Sequence, residues 1–249
     1  MPNKKDNAKE PDLEAMAASG VHLGTLRAHS NPKMKPYIWG NKNTLLLIDL
    51  EKSKENLEKA ISFLIDIKKK DGLILFVGTG IAAKEVTKKV AEDLDMPHVV
   101  ERWLGGTLTN FSTISRQVNQ LKELERQKAA GEFGKYTKYE IQKLEEKIVK
   151  LKKEFGGLLK LNRLPNVLWV SSAYYDKIAV DEAIKKNIPI VGIVNTGSDP
   201  TLLTCPIPAN DTALTSVTFI LELVEEALIN VKSAPAETAA SNKESNGKD

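Results

Sequence analysis

The sequence predicts an α/β protein: a doubly wound parallel sheet into which an antiparallel coiled-coil hairpin of two helices is inserted. Three observations predict this. Short continuous apolar runs alternate with helix-period segments, as strands covered on both faces alternate with crossover helices. The alternation stops once, after a third such strand, where two long segments repeat apolar residues at steps of three and four. Glycines or helix-capping residues mark the junctions.

Taken in order, Met1 to Pro11 is polar and expected to be disordered, as is the tail from Lys232 to Asp249, which offers no anchor for a core. Asp12 to Ala18 reads as a short helix that Gly20 stops in a left-handed conformation. Asn31-Pro32-Lys33-Met34-Lys35-Pro36-Tyr37-Ile38-Trp39-Gly40 holds two prolines and two aromatics, and reads as a fixed surface loop. Leu45-Leu46-Leu47-Ile48 is the first buried strand of the expected parallel sheet. Asp49 caps a helix with Leu57, Ile61, Leu64 and Ile65 on one face, and Gly72 ends it. Leu73 to Val77 is the next strand, Gly78-Thr79-Gly80 turns into a helix carrying Val86, Val90 and Leu94, and Pro97 to Val100 is the third strand.

The insertion begins here. Leu108, Phe111, Ile114, Val118, Leu121 and Leu124 form one seam, and Ile141, Leu144, Ile148, Leu151 and Phe155 form the other. Thr137 and Glu140 have capping-box spacing. Each arm of about 20 residues reaches roughly 30 Å. The pattern then resumes with the strand Val167–Val170, a helix from Asp176 to Asn187 expected to turn Ile178, Ala179, Ala183 and Ile184 inward, and the strand Pro189–Val194. Cys205-Pro206-Ile207 suits an edge strand, where proline is tolerated, and Asp211 is placed to cap a last helix running to about Val231. The α/β domain is thus expected at 12–104 and 158–231, and the hairpin at 105–157.

The 249 residues are 41% hydrophobic and 28% charged, as in a soluble globular protein. The net charge is only +3, but its distribution is informative. From Arg116 to Lys160 there are twelve Lys/Arg and seven Asp/Glu, a local +5 on the arm. A local positive field favours encounter with nucleic acid. The single cysteine, Cys205, allows no internal disulfide and reads as a small buried apolar residue. No membrane span or targeting segment is recognisable, and a reducing cytoplasm is the expected compartment.

Gly78-Thr79-Gly80-Ile81-Ala82-Ala83 fits a dinucleotide fingerprint, with Glu101 about 20 residues on. A dinucleotide-binding α/β enzyme is therefore the alternative. Against it, a strand precedes the unit, no catalytic constellation accompanies it, and His22, His29 and His98 lack metal-ligand spacing. The preferred reading gives Gly78 and Gly80 a turn role and expects no cofactor, metal or small-molecule substrate. Asp176, Asp181 and Glu182 read as a solvated helix face.

Arg27, Lys33, Lys35, Lys42 and Arg102 are interleaved with Tyr37, Trp39 and Trp103. Cations neutralise phosphates and aromatics stack on unpaired bases. Trp103 is expected to be a core anchor for the arm. On the arm itself Lys122, Lys128, Lys143 and Lys147 are candidate RNA contacts.

Gly20-Val21-His22-Leu23-Gly24, the Asn31–Gly40 block, Leu75-Phe76-Val77-Gly78-Thr79 and Arg102-Trp103-Leu104-Gly105-Gly106-Thr107-Leu108-Thr109-Asn110 resemble the signature blocks of the second protein of the bacterial small ribosomal subunit. So do Asp176–Ala183 and Ile188-Pro189-Ile190, and the resemblance runs in order from about Ala15 to Val231. It implies a flavodoxin-like sheet with a protruding coiled coil, docked on small-subunit ribosomal RNA without catalysis. It also implies late assembly at the head–body junction, contact with neighbouring ribosomal proteins, and help in holding the large, loosely attached ribosomal protein S1 in bacteria that have it. Gly105 and Gly106 belong to the turn that opens the arm. The sequence departs from the family pattern at Thr25-Leu26-Arg27-Ala28-His29-Ser30, Gly80-Ile81, Ser171-Ser172 and Asn195-Thr196-Gly197.

Overall fold

The computed structural model describes residues 11–231. The expectations for the polar residues before Pro11 and for the tail from Lys232 lie outside that range, whereas Pro11 itself is buried. A five-stranded parallel sheet forms the centre, with strands β4 (Ile74–Val77), β5 (His98–Val99), β6 (Val167–Val170), β7 (Ile190–Val194) and β8 (Cys205–Pro208) in the order β5-β4-β6-β7-β8. This is the doubly wound order of flavodoxin-like proteins, with β8 at the edge as its prolines require.

Alternate residues serve opposite faces of this sheet, because side chains on a strand alternate. Ile74, Phe76, Val167, Trp169, Val191, Ile193 and Ile207 bury against α2 (Leu50–Lys69), α3 (Lys84–Asp93) and α7 (Leu214–Ile229). Leu75, Val77, Leu168, Val170, Ile190 and Val194 bury on the other face, against α6 (Lys177–Lys185) and the root of the hairpin. Both faces being dry explains why these strands read as unbroken apolar runs.

The Thr44–Ile48 run is not in this sheet. Strands β1 (Leu23–Leu26), β2 (Ile38–Lys42) and β3 (Leu45–Ile48) make a separate antiparallel sheet with β3 central. Only Asn43 and Thr44 separate β2 from β3, and a two-residue link can join only antiparallel strands; Asn43 takes φ +56° there. An apolar run of four residues carries no information about strand direction. The Asn31–Gly40 segment is correspondingly not a plain loop. It is a 3-10 turn, Pro32–Tyr37, capped by the Asn31 side chain, followed by β2. The small sheet follows the short helix α1 (Leu13–Ala18) and is tied to the large one at the carboxyl ends of β7 and β8. The Thr25 amide donates to Thr196 Oγ1 at 2.7 Å, and the Asn31 and Asn210 amides donate to the Thr196 and Val21 carbonyls.

The inserted segment forms a hairpin of α4 (Phe111–Ala129) and α5 (Lys138–Phe155). Ile114, Val118, Leu121 and Leu124 bury against Ile148, Leu151 and Phe155, and Phe133 closes the tip. The Thr137–Glu140 capping box forms as expected, each side chain reaching the other's backbone amide. Lys128–Glu145 (2.7 Å) and Lys152–Glu125 (3.1 Å) span the two helices in antiparallel order.

Two helix expectations are corrected. Asp211 does not cap α7; the Asn210 side chain accepts the Thr212 and Ala213 amides instead, and Asp211 is buried, accepting from Ser172 (2.6 Å) and Asn195 (2.7 Å). On α6 the inward residues are Ala179, Val180, Glu182 and Ala183, while Ile178 and Ile184 are exposed. Small side chains let α6 lie close to its neighbours, so the isoleucines face outward. Among the described residues no helix is long and apolar enough to cross a membrane.

Candidate nucleic-acid interface

The cationic candidates fall into three groups. Arg27 is exposed in a short 3-10 turn, Arg27–His29, that follows β1; Lys35 is exposed in the Pro32–Tyr37 turn and Lys42 at the end of β2. Trp39, on β2 between Lys35 and Lys42, is 76% exposed. An exposed indole of this kind offers a face on which an unpaired base can stack. The segment is rigid: Met34 is fully buried, and Tyr37 and Ile38 pack against the main core. Lys33 is also exposed but is engaged, its ammonium lying 2.6 Å from Asp199 and 3.1 Å from Thr201 Oγ1. Partial burial works to raise the Asp199 carboxyl, but the bonds from Lys33 and Thr201 outweigh it and hold it below its ordinary value. Lys33 therefore also pins the 3-10 turn to the loop after β7.

The second group is at the hairpin root. Arg102 is exposed beside a mixed cleft of about 460 Å³ that includes Lys84, Lys153 and Glu101. The adjoining loop, Trp103 to Thr109, is held by one carboxylate. Glu182 Oε1 accepts from Trp103 Nε1 (3.1 Å) and the Gly106 amide (2.7 Å). Its Oε2 accepts from the Leu108 and Thr109 amides and the Thr109 hydroxyl, all at 3.0 Å. Burial works to raise this carboxyl, but the donated bonds outweigh it and hold it below the ordinary carboxylate value. Gly106 sits at φ +94°, a backbone state that lets its amide point at Glu182, whereas Gly105 is exposed and a side chain there would meet open space. Trp103 is the buried anchor expected, 6% exposed.

The third group is the hairpin face. Lys122, Lys128, Lys143 and Lys147 are all exposed. Lys128 is paired with Glu145, and the Lys143 ammonium lies 4.5 Å from the Tyr139 ring centre.

The Gly78-Thr79-Gly80 turn is occupied from within. Both the amide (3.2 Å) and hydroxyl (2.7 Å) of Thr79 donate to Asp176 Oδ1. A side chain at Gly78 would collide with Thr87, and one at Gly80 would press on the Tyr175 ring at 3.3 Å. Helix α3 starts only at Lys84, with no side-chain cap, and Glu101 is paired with Lys84 at 2.8 Å. The turn's amide and the ribose-binding acid of a dinucleotide site are thus both consumed internally.

The family model described as Ribosomal protein S2 matches residues 16–231. The chain belongs to the ribosomal protein S2 family. It is accordingly a structural protein of the small ribosomal subunit, where S2 proteins assemble with ribosomal RNA and other ribosomal proteins.

Two polar residues central to this S2 fold are not the solvated groups expected of them. Glu182 is 6% exposed and Asp176 is 1% exposed. For Glu182 a signal existed: it lies three residues after Ala179 and one before Ala183, on the face those alanines mark as close-packed. For Asp176 the signal was weaker, because its partner Thr79 is 97 residues away. Burial pushes the Asp176 carboxyl up to about 6, against the opposing pull of the Thr79 and Ser172 bonds and with added push from Asp211. Cys205 is only partly buried, and that burial raises its thiol pKa, as for an unreactive side chain.

Proposed function

We propose that this S2 protein is a non-catalytic element of the cytoplasmic ribosome that grips folded small-subunit RNA with two surfaces. The first is the small-sheet segment carrying Arg27, Lys33, Lys35 and Lys42. The second is the hairpin, a coiled coil bearing Lys122, Lys128, Lys143 and Lys147, with Arg102 at its root. The α/β domain formed by 12–104 and 158–231 holds both in place. The observation that carries the reading is that Arg27, Lys35, Lys42 and Trp39 are all exposed on one short stretch of chain, residues 27–42, whose Met34 is fully buried. Stacking plus phosphate neutralisation is the chemistry of RNA recognition at loops and junctions. The resemblance extends the proposal to late assembly at the head–body junction and to a share in holding ribosomal protein S1.

The test replaces Arg27, Lys35, Lys42 and Trp39 together by Ala and follows the tagged chain by sucrose-gradient sedimentation at moderate salt. The expected result is a shift of the chain from the small-subunit peak to the top of the gradient, with circular dichroism unchanged. Undiminished co-sedimentation rules the small sheet out as a contact. Saturable binding of a nicotinamide dinucleotide by the free protein favours the enzymatic alternative.

A further inference from the structure

The carboxyl ends of β6, β7 and β8 do not close the molecule. They border a cavity of about 430 Å³, between the two sheets, with Leu26 of the small sheet on its other wall. This is where open parallel sheets bind ligands, and the volume is within the range of small-molecule pockets. None of the cationic candidates lines it.

Its walls combine aromatic faces with a polar floor. Tyr174 and Tyr175 line it, 68% and 54% exposed, with rings edge to face at 5.4 Å. A Cβ at Gly80 would lie 3.3 Å from the Tyr175 ring, so the ring sits close against that glycine turn. Asp211, 4% exposed, lines the floor. Each of its oxygens accepts one internal bond, Oδ2 from Ser172 and Oδ1 from Asn195, so its orientation is fixed while each oxygen keeps lone-pair capacity for a further donor. Ser198 also lines the cavity and is 7% exposed, yet its hydroxyl has no hydrogen-bond partner among the described residues. A buried hydroxyl without a partner is costly, and an acceptor atom of a ligand in this cavity would satisfy it.

We infer that this cavity binds a guanine base. A planar heterocycle stacks on a tyrosine. Two parallel donors, N1–H and the N2 amino group, match the two oxygens of Asp211, and the O6 acceptor matches the Ser198 hydroxyl. Cytosine and uracil lack that donor pair, and adenine offers only one donor group toward a carboxylate. The base can come from an unpaired guanosine of the ribosomal RNA or from a free guanine nucleotide. The RNA source rests on the proposed ribosomal docking; the free-nucleotide source does not.

Two arms separate the sources. In the first, the free protein is titrated with GMP, AMP, CMP, UMP and ribose 5-phosphate by calorimetry. GMP is expected to bind at least tenfold more tightly than the others, and Tyr174→Ala, at an exposed side chain, to lose roughly five- to tenfold. Asp211→Asn is expected to abolish the preference for GMP over AMP, with circular dichroism reporting whether the fold survives. In the second, small subunits carrying the wild-type or the Tyr174→Ala chain are probed with kethoxal, which modifies N1 and N2 of unpaired guanines. One guanine protected only by the wild-type chain establishes the RNA source. Failure of the chain to enter subunits refutes the docking proposal and leaves the titration to decide the pocket. The inference is overturned if GMP binds no better than the other probes and no guanine changes reactivity, or if Tyr174 crosslinks in the subunit to a neighbouring protein instead of RNA.

Discussion

The indole N–H of Trp103 donates to Oε1 of Glu182 at 3.1 Å, joining residues 79 positions apart. The same carboxylate collects the amides of Gly106, Leu108 and Thr109. One side chain of α6 therefore ties down the loop that leads into the hairpin.

Replacing that carboxylate is expected to be costly. Glu182→Gln puts an amide N–H₂ where Oε2 or Oε1 accepted, leaving buried donors unpaired. A loss of about 3 kcal/mol follows from charge-assisted bonds of this kind, which lowers Tm by roughly 6–12 °C in a chain of this size. Thermal denaturation checks the magnitude. Limited proteolysis checks the location, since cutting should appear first between Gly105 and Asn110. The pH dependence has a defined sign. The Glu182 carboxyl is held below its ordinary value of 4.5, so its contribution is complete above that pH and fades as pH falls through the lower folded value.

Asp176 acts in the opposite sense. Its carboxyl is raised from 3.8 to about 6 by burial, so the folded state binds the proton more tightly than the unfolded chain. Stability should therefore fall as pH rises from about 4 to 6 and stay lower above that. Asp176→Asn keeps an acceptor for Thr79 and removes the buried charge. It is expected to raise stability at pH 7 by up to about 3 kcal/mol, since each tenfold change in proton affinity corresponds to about 1.36 kcal/mol. The same substitution should flatten that part of the pH profile. Urea denaturation of both chains at pH 4 and pH 7 measures the difference.

Gly157 brings the base of the hairpin against β5. A side chain at that position would collide with the His98 carbonyl and approach its Cδ2 to 2.7 Å. Gly157→Ala should cost roughly 1–3 kcal/mol by overpacking. Gly105→Ala, facing open space, should change stability by less than about 0.5 kcal/mol. Chemical denaturation of the pair tests whether the close approach matters.

On the hairpin, Lys122, Lys143 and Lys147 carry charge without an ion-pair partner among the described residues, whereas Lys128 faces Glu145 at 2.7 Å. Replacing each of the first three by Ala should lower the slope of log affinity against log salt by roughly 0.7–0.9 for every phosphate left without its cation. Lys128→Ala should change it less, because Glu145 already compensates that charge. Filter binding to ribosomal RNA from 50 to about 300 mM salt gives the slopes.

Much of the fold was legible because its signals are local. The runs at Ile74–Val77, Val167–Val170 and Ile190–Val194 are apolar on both faces, as only strands between two helical layers need to be. The hairpin seams repeat at steps of three and four within each helix, and the Thr137–Glu140 box and the Asp49 cap lie within one turn of the amides they serve. The cationic candidates were legible as exposed side chains, but their internal pairing was not: Lys33 meets Asp199 and Lys128 meets Glu145 only after the chain has folded.

The sequence by itself determined the alternation of elements, the place of the insertion and the family, since periodicity, caps and motif blocks need no distant partner. Tertiary structure alone decided that Leu45–Ile48 joins an antiparallel sheet, that Asp176 is buried, and that the glycine-rich turn is filled by the protein's own carboxylate. The physical reason is common to all three. A carboxylate, a strand edge or a tight turn has its meaning fixed by whichever group arrives to satisfy it, and here those groups come from far along the chain or depend on a strand direction that an apolar run does not encode.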